Sequence, residues 1–429
     1  MSHDTTHVRF EDVAAQAGRA DFKRGRLVAA ALIIAGLASF VIMIAMGQVK
    51  QAWQSYLVNL VFFLGIAQAG IVWTAIARTA RGTKWASNLA RYGEAMSAFL
   101  PIGYALVMIF LFAGGSILYP WVADPIPGKA PWLNWPFFLA RNAILMGLLV
   151  LMSRVMLGKS LRPDLARAKE LVPPKLKELY TRRARGWKDN PKSVADTQQE
   201  LLNLSPWFIV LYCVVYTVWA FDILMSLDPH WVSTLFGAFI FMSTLYTGLA
   251  AMSLLTLHTR KPLGLEKAIS TEQYHTLGKL LFSFALFWVY SYWSQFLPIW
   301  YANLSEETPY VVLRLKPPFE FWAWVVFFLT FFVPFVGLMN WTTKRNPYLH
   351  QWFALVALLG VWLERNLLVL PSVNPAAFDL SLPQIGVMLG FAGAFVLPFL
   401  NFAAKYPMLS SLGIPSGAPP AGDWSGTPH

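Results

Sequence analysis

Charge and cysteine are the two features of which this sequence has little. Only 13% of its 429 residues are charged, while 56% are hydrophobic and 15% are aromatic. An average soluble domain carries about 25% charged residues. The single cysteine, Cys213, lies inside an apolar run, which excludes intrachain disulfides and any iron–sulfur cluster held by cysteines of this chain. With a mean hydropathy of +0.49, the composition indicates a polytopic membrane protein.

Ten apolar runs are long enough to cross a bilayer, since one crossing takes about 20 residues. Only helices satisfy their own backbone polar groups in lipid at this length, so the predicted fold is an all-α bundle. The predicted spans are 27–46, 56–77, 95–118, 136–157, 206–226, 233–257, 277–301, 319–340, 350–370 and 380–403.

These spans divide the chain into five segments. Residues 1–26 precede the first span, 27–157 hold spans one to four, 158–205 form a long basic loop, and 206–403 hold spans five to ten. The tail, 404–429, is rich in Gly, Pro and Ser from Ser410 onward and is predicted to be disordered.

Lysine and arginine predict the orientation. Of the 34 Lys and Arg residues, 26 lie in the N-terminal segment, the even-numbered loops and the C-terminal tail, and four lie in the odd-numbered loops. By the positive-inside rule both termini are cytoplasmic. The net charge of +12 is therefore explained by membrane orientation, and nucleic-acid binding is not expected.

Three connecting segments have features of their own. Residues 7–26 are typical of a short amphipathic helix at the cytoplasmic interface. The 158–205 loop predicts two short basic helices broken at Pro173–Pro174, which lie on anionic lipid headgroups or form a docking surface for another subunit. The third loop carries three tryptophans, an interfacial aromatic belt on an ordered outer loop.

Histidines are placed poorly for binding haem. None of the seven lies in the middle of a predicted span: His258, His275 and His350 fall at cytoplasmic ends, and His230 falls at the outer face. A haem b held between two helices is therefore not expected. The sequence also contains no metal-ligand spacing, P-loop, nucleophile elbow or dinucleotide fingerprint. If the protein handles electrons, a bound quinone such as menaquinone is the expected carrier.

Ionisable residues at the ends of apolar runs are the candidate functional groups. Each costs roughly 2.5–3.5 kcal/mol at a bilayer centre, so a chain that keeps them pairs them or uses them on a proton or substrate path. The stretch 221–237 is the densest on the outer side. The candidates are Arg141, Asp222, Asp228, His230, Glu320, Glu364 and Arg365 on the outer side, and Glu94 on the cytoplasmic side.

Two interpretations of these residues stay open. In the first they are structural ion pairs that lock the bundle. In the second they line a proton path or a quinone-headgroup pocket, where a quinol needs proton acceptors as it is oxidised. Glu364 and Arg365 are adjacent, so they point about 100° apart on a helix and are not expected to pair with each other. We expect Asp222, Glu320 and Glu364 to face the bundle interior, with Arg141 or Arg365 within reach of at least one.

Two motifs carry a family resemblance. The runs SLDPHWVSTLFG at 226–237 and FWVYSYWSQFLPIWYANLSEETPY at 287–310 resemble the ActF-type membrane subunit of bacterial alternative complex III, an NrfD-like protein. The ten spans and internal termini fit the same family. That complex is a quinol:electron-acceptor oxidoreductase of the respiratory chain.

The resemblance implies both an architecture and partners. It implies two four-helix bundles with flanking helices, in a multi-pass protein of the bacterial inner membrane. It also implies a second NrfD-like subunit (ActC-like), haem-c and iron–sulfur subunits, a cytochrome oxidase as a further partner, and surrounding lipids. This chain would hold no metal or covalent cofactor, and would contribute scaffold and either a proton path for proton translocation or a quinone pocket. The alternatives are a stand-alone secondary transporter and the membrane anchor of another NrfD-like quinone oxidoreductase.

Overall fold

The computed structural model describes residues 10–80 and 84–412. Within these ranges the chain forms helices and no strand, and ten helices are long and apolar enough to cross a membrane. The predicted all-α polytopic fold is confirmed. Numbered in chain order, α1 to α10 are Lys23–Ala45, Val49–Thr79, Ala86–Leu118, Trp135–Ala168, Pro191–Leu227, Phe236–Thr259, Thr271–Ala302, Glu320–Met339, Pro347–Val373 and Leu382–Lys405. Five shorter helices are Phe10–Gln16, Pro120–Ala123, Pro174–Ala184, Thr308–Leu315 and Trp341–Arg345.

Several helices extend beyond the apolar segments that hydropathy detects. α4 runs to Ala168 and α5 begins at Pro191, so much of the predicted loop 158–205 is helical. The first of the two predicted basic helices is the end of α4, whereas the second is the separate helix Pro174–Ala184. The break spans residues 169–173, so it begins before the predicted Pro173–Pro174, and Pro174 is the first residue of the second helix, where a missing N–H costs nothing. Hydropathy misses such extensions because a helix that leaves the hydrocarbon becomes polar without unwinding.

Contacts between helices divide the ten into two groups of four and one flanking pair. Helices α2 to α5 pack together, α6 to α9 pack together, and the groups meet chiefly where α2 lies against α6. In α2, 94% of the apolar stretch is buried, whereas the corresponding shares are 17% in α1 and 22% in both α7 and α8. The outer faces of α1, α7 and α8 are thus left for lipid or a neighbouring chain.

The flanking pair is formed by the first and last helices. α1 packs along α10, and α10 also covers α2. Gly36 and Gly390 meet at the crossing, where a Cβ built on Gly390 would lie 2.7 Å from the Gly36 Cα. Small residues allow backbones in a membrane to approach this closely, and dispersion contacts then replace the missing hydrophobic driving force.

The connections alternate between two sides of the bundle. On one side, which we call the basic side, Gly18 N donates to Ala404 O and Asn88 Nδ2 donates to Ala268 O, both at 2.8 Å. These bonds bring together residues near both described ends of the chain, and join the start of α3 to the sixth connection. On the opposite side, Trp231 of the fifth connection stacks on Tyr310 of the seventh connection. The alternation agrees with the predicted topology, and the identity of the cytoplasmic side stays a prediction.

Candidate functional site

A buried ion pair joins α4 and α5 on the opposite side. Asp222 is completely buried and lies in a π-helical turn, Ala220–Leu224. Arg141 donates to it twice at 2.8 Å, from Nε to Oδ2 and from Nη2 to Oδ1. Asn142 Nδ2 donates to Oδ2 at 2.9 Å, and Trp132 Nε1 donates to Oδ1 at 3.0 Å. The prediction that Asp222 faces the interior with Arg141 in reach is confirmed.

The acceptor capacity of Asp222 is fully used. A carboxylate offers about four lone-pair positions, and four donors occupy them. The Arg141 guanidinium also lies over the rings of Trp132 and Phe137, with 3.9 Å and 4.4 Å from Cζ to the ring centroids. Loss of either partner of this pair would leave a buried charge without its counter-ion. The geometry is that of a structural ion pair that ties the third connection to α4 and α5.

Glu364 and Arg365 form a second buried pair, and here the sequence-based expectation is wrong. Arg365 Nη1 donates to Glu364 Oε1 at 2.7 Å although the two residues are neighbours on α9. The long arginine side chain curves around the helix because leaving either charge unpaired in the interior would cost several kcal/mol. Neither residue pairs with Arg141, Asp222 or Glu320, the candidate partners that the sequence offers on other helices. Their contacts on other helices are neutral: Trp288 Nε1 donates to Glu364 Oε2 at 3.3 Å, and Arg365 Nη2 donates to Ser243 Oγ.

Glu364 also lines a cavity. This cavity, of about 420 Å³, lies between α7, α8 and α9 on the opposite side. Its size falls in the range of small-molecule sites, about 300–1,000 Å³. Ten of the 21 lining residues are aromatic and most of the others are aliphatic. Trp293 and Trp324 at its edge are 53% and 57% exposed, so the cavity reaches the outer surface of the helices. The side chains that line it include Trp231, Phe236, Phe239, Trp288, Tyr292, Trp293, Gln295, Phe296, Tyr310, Arg314, Trp324, Phe327, Glu364 and Leu368.

The helix Thr308–Leu315 supplies a buried cation to the same cavity. Arg314 Nε donates to Leu367 O at 3.1 Å, Nη1 to Tyr310 O at 2.8 Å, and Nη2 to Leu368 O and Ser372 Oγ at 2.9 Å. Four of its five N–H groups are thus used on α9 and its own helix. No described carboxylate forms an ion pair with it, and the partial negative charge at the α9 C-terminus compensates the guanidinium instead.

Burial shifts the pKa values of Arg314 and Tyr310, the two polar side chains at this edge of the cavity. Burial lowers the pKa of Arg314 from its usual value, although Tyr310 and Asp228 oppose the shift. Burial likewise raises the pKa of Tyr310, against the opposing effect of Arg314. The phenol therefore stays protonated at neutral pH. The centroid of the Tyr310 ring lies 3.3 Å from the Arg314 Cζ. This contact holds the guanidinium at the cavity wall.

The remaining opposite-side candidates do not join the buried groups. Glu320 is exposed in the first turn of α8, so the expectation that it faces the bundle interior is wrong. A carboxylate at a helix N-terminus is stabilised by the helix dipole and needs no buried partner. His230 is exposed, and Asp228 is half-buried in the fifth connection, close enough to influence Arg314 electrostatically.

On the basic side, Glu94 belongs to a network of four buried charges. Arg78 Nη2 donates to Glu94 Oε1 at 2.6 Å, and Arg91 donates to both Glu94 and Asp164. Two guanidinium and two carboxylate groups balance in charge. Ser411, from the last described residues, donates from its N to Asp164 Oδ1 at 2.8 Å and closes the network. The predicted tail is thus bound at its start, and residues 413–429 lie outside the described residues.

The histidines are dispersed. His258 and His350 lie on α6 and α9 near the basic side, where His350 is fully buried and its Nε2 lies 3.0 Å from Ser253 Oγ. His275 contacts Trp341 through ring edges. Among the described residues no three His, Cys, Asp or Glu side chains group as a metal site. His3, His7 and His429 lie outside the described residues.

Sequence reasoning missed several residues that build the cavity and the basic-side network. Trp231 lies inside the motif 226–237, where its titratable neighbours Asp228 and His230 are the stronger sequence signal. Arg314 is the only charged residue of Thr308–Leu315, and that isolation was a usable signal. Arg78 and Asp164 fall in the predicted loops, because hydropathy ends the spans before the helices end.

Comparison with known proteins adds no identification. The sequence matches no protein-family model and no curated protein.

Proposed function

We propose that this chain is an integral membrane subunit of a quinol:electron-acceptor oxidoreductase complex, with the aromatic cavity as its quinol-headgroup pocket. The observation that carries the proposal is the position of Glu364, a buried carboxylate that lines a cavity of about 420 Å³ walled by aromatic side chains. Aromatic walls suit a quinone ring and its apolar tail. The two motifs that resemble ActF support the same conclusion, since both contribute residues to this cavity.

Glu364 is the better proton acceptor of the two buried opposite-side carboxylates. It accepts two hydrogen bonds, from Arg365 and from Trp288, whereas Asp222 accepts four. Lone-pair positions therefore remain on Glu364 for a quinol hydroxyl. We therefore propose a structural role for Asp222. The proton-path role that the sequence suggests for it stays a prediction.

The proposed reaction is the two-electron oxidation of a quinol to a quinone. One O–H proton passes to the Glu364 carboxylate, and the second passes to water at the opposite-side surface. The two electrons would leave one at a time to redox groups of a partner subunit, such as haem c or an iron–sulfur cluster, each of which accepts one electron. Arg314 and Tyr310 hold the oxygens of the ring as N–H and O–H donors, and their charge and polarity favour the anionic quinolate that forms first.

Sidedness and membrane type complete the proposal. The 26-to-four division of Lys and Arg supports a cytoplasmic basic side. The cavity then lies toward the outer face of a bacterial inner membrane, where an ActC-like subunit and haem-c and iron–sulfur subunits would cover it. The exposed outer faces of α1, α7 and α8 leave room for such partners.

The transporter alternative gains no comparable support. Secondary transporters commonly bind substrate where helices are unwound in matched positions of two repeats. The interruptions in the described spans include π turns in α3, α5 and α8, which are not matched between the two four-helix groups.

The test uses the complex purified from native membrane through a tag on this chain. We expect haem-c absorbance in the purified material, and quinol oxidation that falls at least tenfold per assembled complex in Glu364→Gln. Glu320→Gln is the matched control, because Glu320 is a carboxylate on the same side that is exposed and does not line the cavity. A chain that purifies alone and binds no quinone would contradict the proposal, as would equal activity of Glu364→Gln and wild type.

A further inference from the structure

Four basic side chains meet where α7 begins and the eighth connection passes beside it. His275 and Lys279 lie one turn apart on α7, and Lys344 and Arg345 end the short helix Trp341–Arg345. Lys279, Lys344 and Arg345 are all close enough to His275 to act on it electrostatically. We call these four residues the cation cluster. It lies on the basic side, apart from the proposed quinol pocket and from the basic-side network.

Close packing holds the cation cluster together. A Cβ built on Gly278 of α7 would lie 2.7 Å from Lys344 Cγ, so the stem of this lysine packs directly against the glycine. The rings of Trp341 and His275 contact each other at 6.1 Å between centroids, and the Arg345 Cζ lies 4.4 Å from the Trp341 ring centroid. The tertiary structure therefore groups cations that come from two separate parts of the chain.

No carboxylate neutralises the cation cluster. Among the described residues, Lys279, Lys344 and Arg345 form no ion pair, whereas three other cations of the basic side each reach a carboxylate at 2.6–3.0 Å. Glu272 is exposed in the first turn of α7, where the helix dipole stabilises it. Its charge acts on His275 less than that of any of the three cations. Like charges held this close repel each other, so an anion from outside the described residues would stabilise the cluster.

Apolar surface leads away from the cation cluster along α7 and α8. Lys279 is exposed, and Leu286 and Phe287 follow it on the same exposed face of α7. Met339 is exposed at the end of α8. Trp341, 58% exposed beside the cations, has the position that tryptophan commonly takes at a membrane interface. A ligand that matches this surface has a negatively charged head and apolar tails.

We infer that the cation cluster binds the phosphate headgroup of an anionic phospholipid, whose acyl chains lie along the exposed faces of α7 and α8. This site goes beyond the proposed function and does not depend on it. The guanidinium of Arg345 and the ammonium groups of Lys279 and Lys344 donate to phosphate oxygens. Each basic residue near an anionic headgroup strengthens binding about fivefold, which corresponds to about 1 kcal/mol.

The experiment measures which lipid lies beside Lys279. The protein is purified from native membrane through a tag on this chain, with any subunits that accompany it, and is placed in phosphatidylcholine nanodiscs. A fluorescent amino acid in place of Ser283 reports from an exposed position one turn further along α7. Phosphatidylglycerol with a doxyl quencher on its acyl chain is titrated, and phosphatidylcholine with the same chain is the reference. We expect half-maximal quenching at a mole fraction about tenfold lower for phosphatidylglycerol.

Variants of the cation cluster test whether its charges cause this preference. Lys279→Gln removes the exposed cation and leaves the packed ones in place, so we expect the preference for phosphatidylglycerol to fall about fivefold. Lys279→Arg keeps the charge and should keep the preference. Lys279→Gln/Lys344→Gln/Arg345→Gln should be quenched equally by the two lipids. Should this triple variant not fold, Lys279→Gln decides alone, and an unchanged preference in it would overturn the inference.

A matched control removes the same charge elsewhere on the basic side. Lys188, Lys261 and Lys267 are exposed in the fourth and sixth connections and form no ion pair among the described residues. Replacing all three by glutamine should leave the preference as in wild type. An equal loss in this control would show that only the overall charge attracts the lipid, and the inference would fail.

Two results in the wild-type protein would also overturn the inference. Equal quenching by phosphatidylglycerol and phosphatidylcholine would show that water or a partner chain, and not an anionic lipid, covers the cation cluster. Relief of quenching by millimolar glycerol 3-phosphate would assign the cluster to soluble phosphates instead. Neither result involves a quinol, so the proposed function stands or falls separately.

Discussion

Replacing Asp222 by asparagine tests the buried ion pair directly. The substitution keeps the shape of the side chain and removes its charge, which leaves Arg141 buried at 8% exposure without an anion. Removing one partner of a buried ion pair costs about 3–5 kcal/mol. We expect about 3 kcal/mol, the lower end of that range, because the asparagine oxygen still accepts one donor. Both rings also remain over the guanidinium, at 3.9 Å and 4.4 Å.

The assay is unfolding in detergent micelles, followed by the loss of helical circular dichroism as the denaturing detergent increases. Asp228→Asn is the matched control, since Asp228 is half-buried and its side chain makes no ion pair among the described residues. It should change the free energy of unfolding by no more than about 0.5 kcal/mol. Adding Arg141→Gln to Asp222→Asn should recover part of the loss, because the unpaired cation is then gone. A loss below about 1 kcal/mol in Asp222→Asn would refute the structural role of the pair.

Three further predictions concern topology, helix packing and the basic-side network. A reporter placed near Lys188 should be cytoplasmic and one near Lys129 periplasmic, and swapped labelling would overturn the orientation. Gly390→Val should lower the free energy of unfolding by about 1–3 kcal/mol, because its side chain would collide with the glycine opposite it on α1; an unchanged unfolding curve would contradict this packing. Ser160 is 2% exposed and its Oγ accepts from Arg78 Nη2 at 2.9 Å, so it lies in the basic-side network. Ending the chain at Leu409 removes Ser411, which binds Asp164, so Ser160→Cys, in a variant without the native cysteine, should become reactive toward a water-soluble maleimide. Equal labelling of the full-length and shortened chains would show that the tail does not seal the network.

The sequence alone determined the fold class and the number of spans. Long apolar runs have one stable form in lipid, so ten such runs predicted ten helices whatever their packing. Alternation of the connections followed, because each span returns the chain to the other side. The pairing of Asp222 with Arg141 was also within reach, because both residues fall at the same depth on neighbouring spans and an unpaired charge there is costly.

Only the tertiary structure decided which polar groups meet and which stay apart. Hydropathy measures a composition along the chain, so it ended α4 before Asp164 and hid the basic-side network. Helical periodicity gives the direction of a Cβ but not the path of a long side chain, which is why the Glu364–Arg365 contact was excluded in error. The cavity depends on Trp231, Tyr310 and Arg314, which come from two connections brought together by the packing of α6 to α9. Distances between such connections are set by helix packing, and the sequence of each one taken separately does not contain them.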